Sequence, residues 1–161
     1  MKRALVLACG NPQRGDDSAA LHIADSLRCG ISDAETEIHS QQQWTPELAE
    51  RISKAEVVIF VDAAAGMPPG EVACKPLQPA QHASRSITHH TSPESLLWLA
   101  GELYGKHPAL AYLVTVGGIS FDLTEELSEP VRHAIPRAAD RIKALLSGVQ
   151  APESPQTPRD Q

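Results

Sequence analysis

The chain has 161 residues, of which 42% are hydrophobic and 21% charged, with a formal net charge of -6. This is the mix of one ordinary globular domain, long enough to bury a core without disulfide staples. The acidic balance lacks the clustered Lys and Arg of a nucleic-acid surface and disfavours anionic membranes, so neither nucleic acid nor membrane is an expected partner.

The first element is the apolar run Ala4 to Cys9, which reads as a strand buried on both faces. It is too short for the core of a signal peptide or a membrane span. Asp16 to Leu27 places Ala20, Ile23, Ala24 and Leu27 on one helical face. Thr36 to Ser40 is a weaker strand candidate. Thr45-Pro46-Glu47 has the pattern of a helix start, with Thr45 as N-cap and a helix running to about Lys54. Val57 to Val61 is a second buried strand. Val72 to Leu77 follows the turn signal Pro68-Pro69-Gly70, and Pro76 marks it as an edge strand. Ser92-Pro93-Glu94 opens another helix, which Gly105 ends. Leu110 to Val116 is the third buried strand. A last helix starts near Ser128, and Pro136 inside it is expected to break or kink it. Residues 1–148 form one domain in this reading, and the proline-rich residues 149–161 form a disordered tail.

The order β-α-β-α-β-β-α-β-α predicts a three-layer α/β sandwich with a mostly parallel sheet of about five strands flanked by helices. Ligands in such folds gather beyond the C-terminal ends of the strands. Asp16 and Asp17 follow the first strand, Asp62 follows Val57 to Val61, and His89 and His90 precede the helix opened by Ser92. Acidic residues at the first strand–helix turn repel phosphate and suit a cation. Two carboxylates and an imidazole fit a divalent first-row metal such as Ni²⁺, Zn²⁺ or Fe²⁺, with positions left open for water or substrate. Each residue also has a simpler reading: one Asp of the pair as a helix cap, Asp62 as an acceptor for loop amides, one of the two histidines as structural. The scattered His22, His39, His82, His107 and His133 have no expected chemical part.

Other chemistries lack their signatures. Gly10 to Gly15 is neither a dinucleotide fingerprint nor a P-loop, and neither G-x-S-x-G nor H-E-x-x-H occurs. Cys9, Cys29 and Cys74 form no C-x-x-C pair, which fits a reducing, cytoplasmic setting. Cys9 reads as a small core residue away from the ligand edge, and Cys74 as a packing residue.

Taken together, Gly10-Asn11-Pro12 with Gly15-Asp16-Asp17, Gln43-Trp44-Thr45-Pro46-Glu47-Leu48, Phe60-Val61-Asp62-Ala63-Ala64, Gly66-Met67-Pro68-Pro69-Gly70, Thr88-His89-His90, Leu103-Tyr104-Gly105 and Val116-Gly117-Gly118 resemble the hydrogenase maturation proteases. These are the endopeptidases that finish the large subunit of [NiFe] hydrogenases. The likeness runs to about Gly148. It implies Asp17, Asp62 and His90 as metal ligands and catalytic residues. His90 is preferred to His89 because it stands three residues before Pro93. Asn11, Asp16 and His89 are the neighbouring substrate contacts in this reading. Two positions depart from the family: His89 stands where a Ser or Thr is usual, and Ala20 where a Gly is usual.

The resemblance implies an enzyme that recognises a nickel-loaded large-subunit precursor and removes a short C-terminal extension. The nickel is supplied by the substrate, and Asp17 or Asp62 is the candidate general base. Choice of hydrogenase partner would rest on variable loops, Gln78 to Arg85 among them. Two other readings of the same residues are a non-catalytic nickel escort and a zinc metallohydrolase of small amides.

Overall fold

The computed structural model describes residues 4–31, 34–81 and 91–148. Five strands and four helices follow one another as β1 (Ala4–Cys9), α1 (Ala19–Gly30), β2 (Thr36–Gln41), α2 (Leu48–Ser53), β3 (Val57–Ala64), β4 (Val72–Pro76), α3 (Pro93–Tyr104), β5 (Leu110–Gly117) and α4 (Glu129–Leu146). A 3₁₀ turn, Gly15–Ser18, leads into α1. The strands form one sheet in the order β2-β1-β3-β5-β4, in which only β4 runs antiparallel to its neighbour.

Alternation along the strands divides the core in two. Val6 and Ala8 of β1, Ile59 and Val61 of β3, and Val114 and Val116 of β5 face α1 and α4. Leu5 and Leu7, Val58 and Phe60, and Ala111 face α2 and α3. Both faces of the central strands are therefore buried, which is why their sequences are continuous apolar runs. The result is the expected α/β sandwich with a five-stranded, mostly parallel sheet. From β1 the chain winds one way to β2 and then the other way to β3, so the sheet reverses direction between β1 and β3. A crevice opens beyond the C-terminal ends of strands at such a switch point.

Three local expectations are revised. The helix expected from Asp16 starts at Ala19, because the first turn is 3₁₀ and its carboxylates are used elsewhere. Thr45 does not cap α2: Pro46 and Glu47 form a turn, with Leu48 N–H bonded to the Thr45 carbonyl at 3.1 Å, and the helix begins at Leu48. Pro136 leaves α4 continuous over 18 residues. It lies on the exposed side, where a carbonyl that loses its N–H partner turns to water. Ser92 and Gly105 act as read: the Ser92 hydroxyl accepts the Ser95 N–H at 3.1 Å, and Gly105 closes α3 with φ 70°. Residues 149–161, the proposed tail, lie outside the described residues.

Phe60 joins the core to the crevice: it is fully buried and meets Trp44 edge-on, with ring centroids 5.4 Å apart. Phe60→Ala is expected to cost about 4 kcal/mol of unfolding free energy through cavity formation, measured by urea denaturation. A loss below about 1 kcal/mol would show that this face repacks freely.

Candidate functional site

The crevice at the switch point is a cavity of 420 Å³ whose wall includes Asp17, Asp62, Cys9, Asn11, Trp44 and Thr91. Asp17 reaches it from the 3₁₀ turn after β1, and Asp62 from the end of β3. A close backbone approach sets the first of these. A Cβ on Gly10 would stand 2.0 Å from the Asp17 carbonyl oxygen, so only glycine lets the end of β1 lie against the turn. The Asp17 carboxylate accepts the Asn11 N–H at 2.9 Å, and the Asn11 side chain accepts the Gln13 N–H at 2.9 Å. The loop is thus tied to the carboxylate it presents.

Asp62 is three parts environment. Burial raises its pKa, the Ala63 N–H donated to its Oδ1 at 2.8 Å lowers it, and the negative charge of Asp17 raises it again; the outcome is a value pushed up to about 6. Repulsion between the two acids is what an arriving cation would relieve. Cys9, read from sequence as core only, also borders the cavity. Its thiol donates to the Gln42 carbonyl at 3.2 Å, and burial, Asp62 and Asp17 push its pKa up to about 12. Held as a neutral thiol, it is a poor nucleophile.

Asp16 faces away from the cavity. It is fully buried, and its carboxylate accepts the N–H groups of Ile119 at 2.8 Å, Ser120 at 3.1 Å and Ser128 at 2.8 Å, and the Ser128 hydroxyl at 2.8 Å. Burial alone would raise its pKa, but these four donors outweigh it and the value is lowered. Its geometry is that of a clamp between the 3₁₀ turn and the loop after β5, in place of the substrate contact expected from sequence. Neither Asp caps the turn or α1 through its side chain.

His89 and His90 lie outside the described residues. Thr91, covalently next to His90, borders the cavity. Among the described residues, no group of three His, Cys, Asp or Glu side chains could hold a metal ion; the described part brings the side chains of Asp17 and Asp62 to the cavity wall. Gln42, Gln43 and Trp44 also line the cavity. Gln43 and Trp44 belong to one of the segments that carry the resemblance, though no site role was read for them; Gln42 had only its position after β2, the strand beside β1.

The whole domain matches solved structures. The maturating endopeptidase HybD of E. coli aligns with a TM-score of 0.71 at 24% identity, over 91% of this chain and 93% of its own. A hydrogenase 2 maturation peptidase from a Thaumarchaeota archaeon gives 0.68 at 27% identity, over 92% of this chain and 100% of its own. The [NiFe] hydrogenase maturation protease HycI of Thermococcus kodakarensis gives 0.69 at 24%, over 91% and 93%. This is the fold of the hydrogenase maturation endopeptidases. The resemblance carried by the sequence motifs therefore extends to the architecture of the whole domain. No family model and no curated protein sequence matches the chain. Among the described residues no helix is long and apolar enough to cross a membrane.

Two pH effects of opposite sign follow. The lowered pKa of Asp16 means that its clamp is fully present above the unfolded value of about 3.9 and is lost as pH falls through the lower folded value. Asp16→Ala, which strands three amides, is expected to cost about 3 kcal/mol at neutral pH, read by urea denaturation; a cost within about 0.5 kcal/mol would refute the clamp. Asp62 acts the other way. The folded state holds its proton from about pH 4 to 6 while the unfolded chain releases it, so stability falls as pH rises through that window. Relative to wild type, Asp62→Asn is expected to gain about 2 kcal/mol between pH 4 and 7, measured by denaturation across that range; a difference that does not vary with pH would contradict the assignment.

Proposed function

We propose that this protein is a hydrogenase maturation endopeptidase that removes a C-terminal extension from the nickel-loaded large subunit of a [NiFe] hydrogenase. The observation that carries the reading is the convergence of Asp17 and Asp62, from two different strand ends, on one cavity at the switch point. The fold supports it: the solved structures of the same architecture described above, including one at 27% identity that is aligned over its full length, are of proteins named as hydrogenase maturation peptidases, proteases or endopeptidases. The escort and small-amide readings have no such support.

In this proposal the nickel arrives with the precursor, and Asp17, Asp62 and His90 complete its coordination. The donor set suits that task. Two carboxylates and an imidazole are acceptable to Ni²⁺, and the mutual repulsion of the acids favours a cation between them. Nickel supplies a Lewis acid that can polarise the scissile carbonyl. Asp62, whose side chain borders the cavity, takes the proton of an attacking water in this reading and returns it to the amine released when the C–N bond breaks. Asn11, whose N–H already anchors Asp17, and His89 are the neighbouring candidates for substrate contact. A cytoplasmic setting fits a chain with three free cysteines.

Incubation with nickel-loaded and nickel-free precursor, followed by mass spectrometry, tests the reading. Loss of the tail is expected only from the loaded form; equal cleavage of both would refute recognition of the metal. Asp62→Asn is expected to lower the cleavage rate about 10³-fold while the protein remains folded. Retention of more than about a tenth of the rate would exclude Asp62 as the base.

A further inference from the structure

A second cavity lies beyond Asp62, on the side away from β1. The rows of the sheet on the α2–α3 face run Asp62–Thr115–Ala73 and Phe60–Leu113–Lys75 across β3, β5 and β4. Over them is a space of 390 Å³, bounded by Leu113, Thr115, Ala73, Met67 and Lys75 and reaching back to Asp62. Asp62 borders both this space and the first cavity, so the two meet at one carboxylate. The floor is small and apolar, with a single hydroxyl from Thr115. At its outer end Lys75 is exposed, and among the described residues it makes no ion pair.

We propose that this second cavity seats the stretch of substrate chain next to the scissile bond, and that Lys75 binds a carboxylate on that stretch. The proposal rests on the peptidase reading and names the substrate feature it would select. The spacing gives the register. Lys75 is two strands over from Asp62 and two residues along, which places its Cα about 12 Å away from strand spacings alone. An extended peptide covers that distance in about three to four residues. The preferred segment is therefore extended, with small or apolar side chains against Ala73 and Leu113. It carries an acidic group about three or four residues from the position facing Asp62. A charge-assisted bond at an exposed lysine selects orientation more than it adds affinity.

The test uses the full chain, ¹⁵N-labelled, titrated by NMR with an acetylated, amidated Ala-Val-Ala-Ala-Asp peptide and with its Asn-ended and Lys-ended counterparts. The Asp peptide is expected to shift the amides of Ala73, Lys75, Leu113 and Thr115 saturably, and the Asn peptide to bind about threefold more weakly. In Lys75→Glu, whose spectrum away from β4 should be unchanged, the preference should reverse toward the Lys peptide. Equal binding of the Asp and Asn peptides, shifts centred elsewhere, or no saturable shift up to about 10 mM would overturn the proposal. The two readings fail separately. Cleavage of loaded precursor with an unchanged KM in Lys75→Glu would remove the Lys75 subsite and leave the peptidase intact. Peptide binding here without precursor cleavage by wild type would remove the peptidase reading.

Discussion

The carboxylate of Asp16 accepts four hydrogen bonds from Ile119, Ser120 and Ser128, residues more than a hundred positions away. A buried charge persists only when its lone pairs are met, and here it is met by the loop after β5 and the start of α4. Two backbone bonds reinforce the union, Gly15 N–H to the Thr124 carbonyl at 2.7 Å and Asp16 N–H to the Ser120 carbonyl at 2.8 Å. The 3₁₀ turn is thereby fixed between β1 and β5. With Asp16 turned inward, Asp17 is left to face the crevice. The bare Cα of Gly10 permits the approach from the other side. One acid of the pair is structural, and its burial leaves the other at the cavity.

The second acid of the site depends on topology. β3 lies beside β1 because the chain reverses its winding there, and that adjacency places the end of β3 across from the turn after β1. Phe60 and Trp44 close the α2–α3 side. The electrostatics then follow from position: a half-buried Asp62 near a negative Asp17 titrates high, and burial, with the same two charges, keeps the Cys9 thiol protonated. Three oxygen- or sulfur-bearing groups share one wall, yet only the carboxylates have their charge available.

Much of this arrangement was legible in the sequence. The strands β1, β3 and β5 announced themselves because both faces of each are buried, so hydrophobicity needed no alternation to be read. Asp17 and Asp62 were legible as acids at strand ends in an alternating α/β chain. Strand-end position did not separate Asp16 from Asp17, and the resemblance, which did, made Asp16 a substrate contact; its clamp was hidden because its partners are remote in sequence and only the folded loop brings them near. Cys9 was read as core for a related reason: the last residue of a buried strand is apolar in pattern, and whether it closes the core or opens the cavity depends on which loop lies above it. Thr45 and Pro136 show the limit of local rules. Each has the residue type for a cap or a break, and tertiary packing decided otherwise.

The central claim is that Asp17 and Asp62 together meet the nickel carried by the precursor. X-ray absorption at the nickel edge, recorded on loaded precursor alone and after rapid mixing and freezing with the protein, addresses it directly. The account predicts that nickel gains oxygen donors on mixing and that the gain is absent when Asp17 and Asp62 are both replaced by Ala. Nickel coordination that stays unchanged while the tail is cut would contradict it.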